Sequence, residues 1–290
     1  MWDVQQKKFL KENNFLLNKV FHFYKKKFIN FLFYLELPIA FLYNNDRKNN
    51  FLILICSYNN AEYVNNNLRS IKNQTYKNYK ILYIDDCSDD LTYKIAKKRL
   101  SHLFNKDQYN LIKNFERIGS LKSKYVNIHK YVRDNDILII LDGDDFFYTK
   151  FALTYLNFIY KTKKVLCTYG SYINLSGKIN FQKKYRSDVI KKKLFRKYFH
   201  PSHLRTYYAH VFKKIPKEQF LDPNNNFFMT CEDKATMFPI MEIVGHRHHF
   251  INYFLYCYND LNPINISKSK ELSRLKKIND CEIRNKSIVS

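Results

Sequence analysis

Short apolar runs alternate along the chain with segments in which apolar residues recur at helical intervals. Four runs have the length of strands, at 51–56, 79–85, 109–114 and 137–141. Helical spacing fills the intervals between them at 61–72, 91–103 and 120–133, and it returns at 149–161. Alternation of this kind is typical of a largely parallel sheet that is covered by helices on both faces. The pattern therefore predicts an α/β fold.

The first 50 residues follow a different pattern. They are rich in Phe, Leu and Lys, and their apolar stretch at 28–43 is interrupted by Asn30, Glu36 and Pro38. A run this short and this broken is a poor fit to a helix that spans a bilayer. We expect a packed or interfacial helical hairpin over 1–50, with a membrane anchor behind the preceding lysine triplet as the alternative.

The strand–helix alternation also stops beyond residue 165. Loops and short strands follow, with a basic helix near 188–198, a helix from about 232 to 244 and a strand-like stretch near 250–257. Residues 267–290 are rich in Lys and Ser and have only a weak helical pattern. They form either a mobile tail or a helix packed on the surface.

Clusters of carboxylates directly follow two of the predicted strands. The second strand runs into Asp85-Asp86-Cys87-Ser88-Asp89-Asp90, and the fourth runs into Asp142-Gly143-Asp144-Asp145. In an open α/β sheet, ligands bind outside the carboxyl ends of the strands. Crowded carboxylates repel one another unless hydrogen-bond donors or a cation balance them, and a divalent cation bound by oxygen is the simplest balance. Gly143 leaves the turn free to bring Asp142 and Asp144 to one ion. The alternative is a solvated acidic loop with an Asp that caps the next helix.

The chain carries 50 Lys and Arg against 26 Asp and Glu, which gives a net charge of +24. Lysines account for 39 of the 50 cations, and Asn, Ile, Phe and Tyr are also abundant. These residues share A/T-rich codons, which indicates a biased gene such as that of a parasite, an endosymbiont or a large DNA virus. Nucleic-acid-binding proteins rely on Arg for forked contacts, and the sequence has no zinc-finger, homeodomain or RNA-recognition signature. We therefore expect no specific nucleic-acid partner.

The six cysteines include no C-x-x-C pair, and several lie in or beside apolar runs. This arrangement is typical of small buried side chains in a reducing compartment, rather than of a zinc site or a set of disulfides. It predicts a cytoplasmic protein, in the host cytoplasm if the gene is viral. Peripheral membrane contact through 1–50 stays open.

The motifs at the strand ends occur in a specific order. The first strand ends in Ser57-Tyr58-Asn59-Asn60, the next helix ends in the segment S-I-K-N-Q-T-Y (70–76), and the D-D-C-S-D-D and D-G-D-D clusters follow. This order resembles the nucleotide-binding half of family 2 glycosyltransferases, which have the GT-A fold. Further along, His203 to Thr206, Glu232-Asp233 before a helix, and Y-C-Y-N-D-L-N-P (256–263) are similar to one branch of that family.

The resemblance covers 51–266 and implies a division of the chain. A nucleotide-binding half, 51–145, precedes an acceptor-side half, 146–266. The helical extension, 1–50, and the basic tail, 267–290, lie outside it.

The resemblance also implies a donor site. Tyr58 is expected to stack on a pyrimidine ring and Asp86 to accept a ring N–H, whereas the plainer interpretation has Asp86 cap a helix and Tyr58 fill the strand end. Further donor contacts are expected from Ser57, Asn59, Lys124, Asp142 and Gly143. Asp142 and Asp144 are expected to hold Mn²⁺ or Mg²⁺, with Asp145 and His248 as candidate further ligands.

By the same resemblance, Asp233 is the expected general base, and its plainer interpretation is a carboxylate favoured by a helix N-terminus. Glu232, His203 and Arg205 are expected on the acceptor side. The predicted function is inverting transfer of a sugar from a nucleotide-diphosphate donor, a UDP-sugar, to a hydroxyl of a glycan, a protein or a lipid-linked acceptor. The alternatives are a sugar-nucleotide-binding module without turnover and a basic nucleic-acid-binding protein.

Overall fold

The computed structural model describes residues 24–43, 49–264 and 270–289. The strands are β1 (Phe51–Ser57), β2 (Tyr79–Asp85), β3 (Tyr109–Lys113), β4 (Ile137–Ile140), β5 (Phe146–Phe147), β6 (Cys167–Gly170), β7 (Tyr172–Asn174), β8 (Ile179–Asn180), β9 (Arg205–Tyr208), β10 (His248–Ile251) and β11 (Tyr256–Tyr258). The helices are α1 (24–42), α2 (Val64–Lys72), α3 (Thr92–Leu103), α4 (Ser120–Tyr131), α5 (Ala152–Lys163), α6 (Ser187–Lys191), α7 (Ala209–Lys213), α8 (Glu232–Val244) and α9 (Lys270–Asn285).

A seven-stranded sheet lies at the centre, in the order β10-β6-β9-β4-β1-β2-β3. Its pairs are parallel except where β9 runs antiparallel to both β4 and β6. The four strands predicted from the apolar runs correspond to β1–β4. The predicted α/β fold with a mostly parallel sheet is confirmed.

Apolar side chains fill both faces of this sheet. In β1, Phe51, Ile53 and Ile55 belong to one buried cluster, while Leu52 and Leu54 belong to the other. A strand covered on both faces needs no polar alternation, because neither side meets water. This explains why the strand segments are continuous apolar runs.

A second sheet has four short strands in the order β5-β11-β7-β8. Its strand β5 directly follows the acidic turn in sequence and begins at Phe146, one residue after Asp145. Strand β11 pairs with β5 through Tyr256 and Cys257. The pairing therefore brings the segment 256–263 to the D-G-D-D turn.

Helix α1 packs along the body of the protein and continues through Pro38. The inward side chains Ile29, Phe33, Leu37 and Ala40 are buried in the core, and the Phe33 ring lies 5.4 Å from that of Tyr155. The other arm of the predicted hairpin falls on 1–23, outside the described residues. In the described ranges, no helix combines the length and the apolar character needed to cross a membrane.

The C-terminal segment forms helix α9, which packs against α8. Asn279 donates to Thr230 Oγ1 at 2.9 Å, and Lys234 pairs with Asp280 at 2.8 Å. The main chain of Ile283 accepts a hydrogen bond from the buried Arg196. Residues 270–285 are thus a helix fixed to the domain by polar contacts at several points.

Candidate active site

A cleft of about 360 Å³ opens at the carboxyl ends of the parallel strands. Residues from the ends of β1, β2 and β4 line it, including Ser57, Asp86 and Asp142. The lining also includes the start of β9, the start of α8 and part of α9. The cleft therefore lies where an open α/β sheet binds its ligands.

The acidic turn fits tightly against the end of β1. A Cβ atom added to Gly143 would lie 2.4 Å from Ser57 Oγ and 2.6 Å from Ser57 Cβ. From α2, the Asn67 amide donates to the carbonyls of Asp142 and Asp145 at 3.0 and 2.7 Å. Gly143 is required here by the close approach of two loops, rather than by the backbone freedom that the sequence suggested.

Two buried cations balance the charge of Asp142. Lys124 Nζ lies 3.3 Å from Asp142 Oδ1, and Arg205 Nη2 lies 3.7 Å from Asp142 Oδ2. Burial alone would raise the pKa of this carboxyl, but Lys124 and Arg205 outweigh it and hold the pKa well below its usual range. Asp142 is thus an ionised carboxylate that already has cationic partners.

Lys124 also contacts the start of α8. Its Nζ donates to Glu232 Oε1 at 2.6 Å, while Glu232 Oε2 is buried without a hydrogen bond from the described residues. Burial opposes the charge of Lys124, but Glu232 and Asp142 raise its pKa above the ordinary value. The lysine therefore links the D-G-D-D turn to the start of α8.

Asp144 and Asp145 have neutral partners. Asn262 donates to Asp144 Oδ2 at 2.7 Å, and burial raises the pKa of Asp144. Asp145 is fully buried, where it accepts hydrogen bonds from the Tyr256 hydroxyl and, at 2.6 Å, from the Asn259 N–H. Burial also raises the pKa of Asp145. The segment 256–263 is thus the structural partner of the D-G-D-D motif.

Asp86 follows β2 and lines the cleft, and its carboxylate anchors a loop. It accepts hydrogen bonds from Ile118 N, Gly119 N, Asn114 Nδ2 and Ser123 Oγ, over 2.7–3.1 Å. The segment that it holds leads into α4, which begins at Ser120, and not into the helix that follows Asp86 in sequence. Three of these donors reach Oδ1, which leaves Oδ2 with a single one.

The Tyr58 ring lines the cleft next to the end of β1. The Arg117 guanidinium lies 3.9 Å from its centre, and the Tyr58 hydroxyl donates to Asp89 Oδ2 at 3.3 Å. Asn59 does not line the cleft; its N–H donates to Ser88 Oγ, and its side chain accepts from Asp89 N. Asn59 therefore joins two strand-end loops.

Asp233 lies in the first turn of α8 and is partly exposed. Its Oδ1 accepts from Lys234 N at 2.9 Å, and its Oδ2 lies 4.0 Å from Arg205 Nη1. Arg205 is buried and contacts both Asp142, which follows β4, and Asp233, in α8. The strand register explains its position, since Arg205 pairs with Ile140 at the carboxyl end of β4.

His203 contributes an aromatic wall. Its ring stacks on Tyr256 at 4.4 Å and lies 5.8 Å from Tyr258. Burial holds the pKa of His203 well below its usual range, so the ring is neutral at pH 7. His203, like Arg205 and Glu232, therefore lies in the cleft as expected from the sequence.

His248, a candidate metal ligand, lies elsewhere. It is in β10, where its ring is 5.8–6.5 Å from those of Tyr169, Tyr185 and Phe195, and it does not line the cleft. Within the described ranges, no group of three or more His, Cys, Asp or Glu side chains is arranged to hold a metal ion. An ion bound here would therefore need ligands from the substrate as well.

Comparison with known proteins identifies the family. The model of glycosyl transferase family 2 matches residues 52–220, which is more than half of the chain. The chain belongs to glycosyl transferase family 2. An uncharacterized glycosyltransferase of Haemophilus influenzae (strain ATCC 51907 / DSM 11121 / KW20 / Rd) is 35% identical over 80 residues, which is 25% of this chain and 25% of that protein.

Solved structures show the same fold as this family 2 domain. S. aureus TarS 1-349 in complex with UDP-GlcNAc matches with a TM-score of 0.57 and 15% identity, over 82% of this chain and 68% of that one. The mannosyltransferase PcManGT from Pyrobaculum calidifontis, in complex with GDP-Man and Mn²⁺, matches with a TM-score of 0.53 and 12% identity, over 86% and 69%. The predicted GT-A glycosyltransferase fold is confirmed.

Several cleft residues of this family 2 domain were not predicted from the sequence. Arg117 and Lys276 line the cleft, are far apart along the chain and belong to no local motif. Lys276 reaches the cleft from α9, where its carbonyl accepts from the Cys231 thiol at 3.3 Å. Asn262 also lines the cleft and was not predicted, but it belongs to the Y-C-Y-N-D-L-N-P segment that resembles the family, so its place in the site could have been predicted from that motif.

Proposed function

We propose that this family 2 domain transfers a sugar from a nucleotide-diphosphate donor, a UDP-sugar, to an acceptor hydroxyl with inversion. The observation that carries the proposal is the position of Arg205 between Asp142 and Asp233. It brings Asp142 and the partly exposed Asp233 into one cleft, each within 4.0 Å of the same guanidinium. Asp142 is proposed to face the leaving group and Asp233 the acceptor, because in inverting displacement the base and the leaving group lie on opposite faces of the anomeric carbon.

The donor nucleotide is proposed to lie between the ends of β1 and β2. Asp86 Oδ2 has one hydrogen bond from the protein, so it retains room for a ring N–H. Arg117 and Tyr58 form a stacked pair that extends the aromatic surface for a base. Among the matched structures, one contains UDP-GlcNAc and another GDP-Man, so the choice of a UDP-sugar rests on the resemblance of the Tyr58 and Asp86 motifs to the family.

The residues of the D-G-D-D turn fit a hard divalent cation. Asp144 is a half-buried carboxylate that accepts a hydrogen bond from the neutral Asn262, so a cation would offset the cost of burying its charge. Asp142 lies beside it but is already paired with Lys124 and Arg205. We propose Asp144 as the principal ligand of Mn²⁺ or Mg²⁺ and Asp142 as the second. When bound, the ion would neutralise charge on the leaving diphosphate.

Asp233 is proposed to act as the general base. The acceptor oxygen forms a bond to the anomeric carbon while the bond from that carbon to the diphosphate oxygen breaks, and the acceptor proton passes to Asp233. Glu232 serves a positioning role, since Lys124 fixes its Oε1. Lys124 and Arg205 are cations on the diphosphate side. They would stabilise the negative charge that develops on the leaving diphosphate.

The test uses Asp233→Asn in the full chain. UDP affinity, measured by calorimetry, should stay within about twofold. Release of the nucleoside diphosphate, UDP from UDP-sugars or GDP from GDP-sugars, should fall about 10²–10⁴-fold. Asp107→Asn, an exposed carboxylate outside the cleft, is the matched control.

Retained turnover in Asp233→Asn would assign the base to another residue. UDP binding with no turnover of any donor by the unaltered chain would favour a binding module. If full activity remained in the presence of a metal chelator, Lys124 and Arg205 alone would neutralise the charge of the diphosphate.

A further inference from the structure

Helix α1 carries apolar side chains on two opposite sides. The inner side is buried against the core, as described above. On the opposite side, apolar residues recur at steps of three or four and form what we term the outer stripe. Its members and their exposed fractions are Phe28 (59%), Phe31 (58%), Leu35 (57%), Ile39 (50%) and Leu42 (74%).

The outer stripe differs from an ordinary helix surface. A helix on a soluble protein normally turns polar side chains to water. Here the stripe extends over about 21 Å, at 1.5 Å per residue, and the exposed rings of Tyr34, Phe41 and Tyr43 lie beside it. The single acidic residue of 24–42, Glu36, accepts a hydrogen bond from Tyr155. A contiguous apolar surface of this kind marks an interaction site.

The charge around the stripe is positive. Lys25, Lys26 and Lys27 lie at the start of α1, where Lys25 Nζ is 4.1 Å from the Phe181 ring centre and Lys26 Nζ is 5.8 Å from that of Tyr148. These contacts keep two ammonium groups close to the body of the protein at one end of the stripe. Tyrosine and phenylalanine beside lysine are the composition of helices that lie in a lipid headgroup region.

We propose that the outer stripe binds an anionic membrane surface, with α1 lying in the plane of the headgroups. The inner side of α1 is packed on the core, so the helix presents only its outer side to lipid. Apolar side chains would enter the acyl boundary, while the lysines would contact anionic headgroups. The proposal concerns where the protein binds and does not depend on the transfer reaction.

The test is flotation of the full chain with vesicles of phosphatidylcholine alone or with 30% phosphatidylserine, a composition of about one anionic lipid in three. The protein should float with the anionic vesicles and much less with the neutral ones. The triple variant Phe31→Gln, Leu35→Gln, Ile39→Gln keeps helix-forming residues and should reduce binding at least about tenfold. Leu91→Gln, Leu175→Gln, Ile288→Gln removes equally exposed apolar side chains elsewhere and should bind like the unaltered chain.

The lysines supply a second measurement. Lys25→Gln, Lys26→Gln, Lys27→Gln should weaken binding to anionic vesicles about fivefold per lysine and reduce its dependence on salt. Failure of the unaltered chain to float, or equal flotation of the stripe variant, would overturn the proposal. It would also be overturned by a dimer that the stripe variant dissociates and that shows no vesicle binding, because the stripe would then be an interface between two copies.

Discussion

Asp142 and Asp144 are two residues apart, yet their side chains have different partners. Asp142 contacts the cations Lys124 and Arg205, and its pKa lies well below the usual range. Asp144 contacts the amide of Asn262, and burial raises its pKa. A divalent ion should therefore change the environment of Asp144 more than that of Asp142, whose charge is already balanced.

This difference predicts the effect of Asp144→Asn on metal-dependent binding. In the unaltered chain, calorimetry should show tighter UDP binding with Mn²⁺ than without it. Asp144→Asn should abolish most of that gain and leave the metal-free affinity within about threefold, because the amide keeps the volume but loses the charge. Asp107→Asn serves as the control. An undiminished Mn²⁺ effect in Asp144→Asn would contradict the assignment.

At the level of elements, the S-I-K-N-Q-T-Y segment joins α2 to α5. Gln74 accepts from Leu153 N at 3.1 Å and donates to the Thr149 carbonyl at 2.9 Å, while Ser70 Oγ accepts from Phe147 N at 3.2 Å. The motif contains no residue that lines the cleft. Its contribution is to hold the chain that follows the D-G-D-D turn.

Close packing of β1 against the acidic turn gives an element-scale prediction. Gly143→Ala should lower the free energy of unfolding by about 1–3 kcal/mol, because the new Cβ would meet both side-chain atoms of Ser57. Urea unfolding measures the change. Ser57→Gly removes those atoms, so the double variant should lose less stability than the sum of the single losses. Simple additivity, or an Ala variant as stable as the unaltered chain, would contradict this account of the contact.

At the scale of the whole molecule, strand order decides what enters the cleft. Strand β9 lies antiparallel between β4 and β6, so its first residue, Arg205, lies beside the end of β4. The same order places β10 at the far edge of the sheet, with His248 among aromatic rings. Burial lowers the pKa of His248, and its Nδ1 lies within hydrogen-bond distance of the Gly245 carbonyl.

The position of His248 predicts how stability depends on pH. The unfolded chain takes up the proton near pH 6.5, whereas the folded chain resists it, so the free energy of unfolding should fall as pH drops below about 6.5. His248→Phe should reduce this slope by up to about 1.4 kcal/mol per pH unit between pH 6.5 and 5.5. Urea unfolding at several pH values gives the slopes, with His102→Gln on the exposed end of α3 as the control. Equal slopes for the two variants would refute the prediction.

The sequence by itself determined the α/β class, the strands β1–β4 and the carboxylates that follow them. These features are local, because a strand buried on both faces must be apolar throughout and its ligand-binding residues follow it directly. It also indicated, through its resemblance to the family, that Glu232-Asp233 begins a helix beside the site.

The tertiary structure alone decided the partners of those residues. The pairing of Lys124 with Asp142 and Glu232, the hydrogen bonds from Asp86 to the segment before α4, and the tight contact at Gly143 all join segments far apart in sequence. No local pattern encodes such contacts, since they depend on strand order and register. The sequence also shows that α1 is rich in apolar residues. Only the packing of its inner side on the core establishes that the outer stripe is the face that remains exposed.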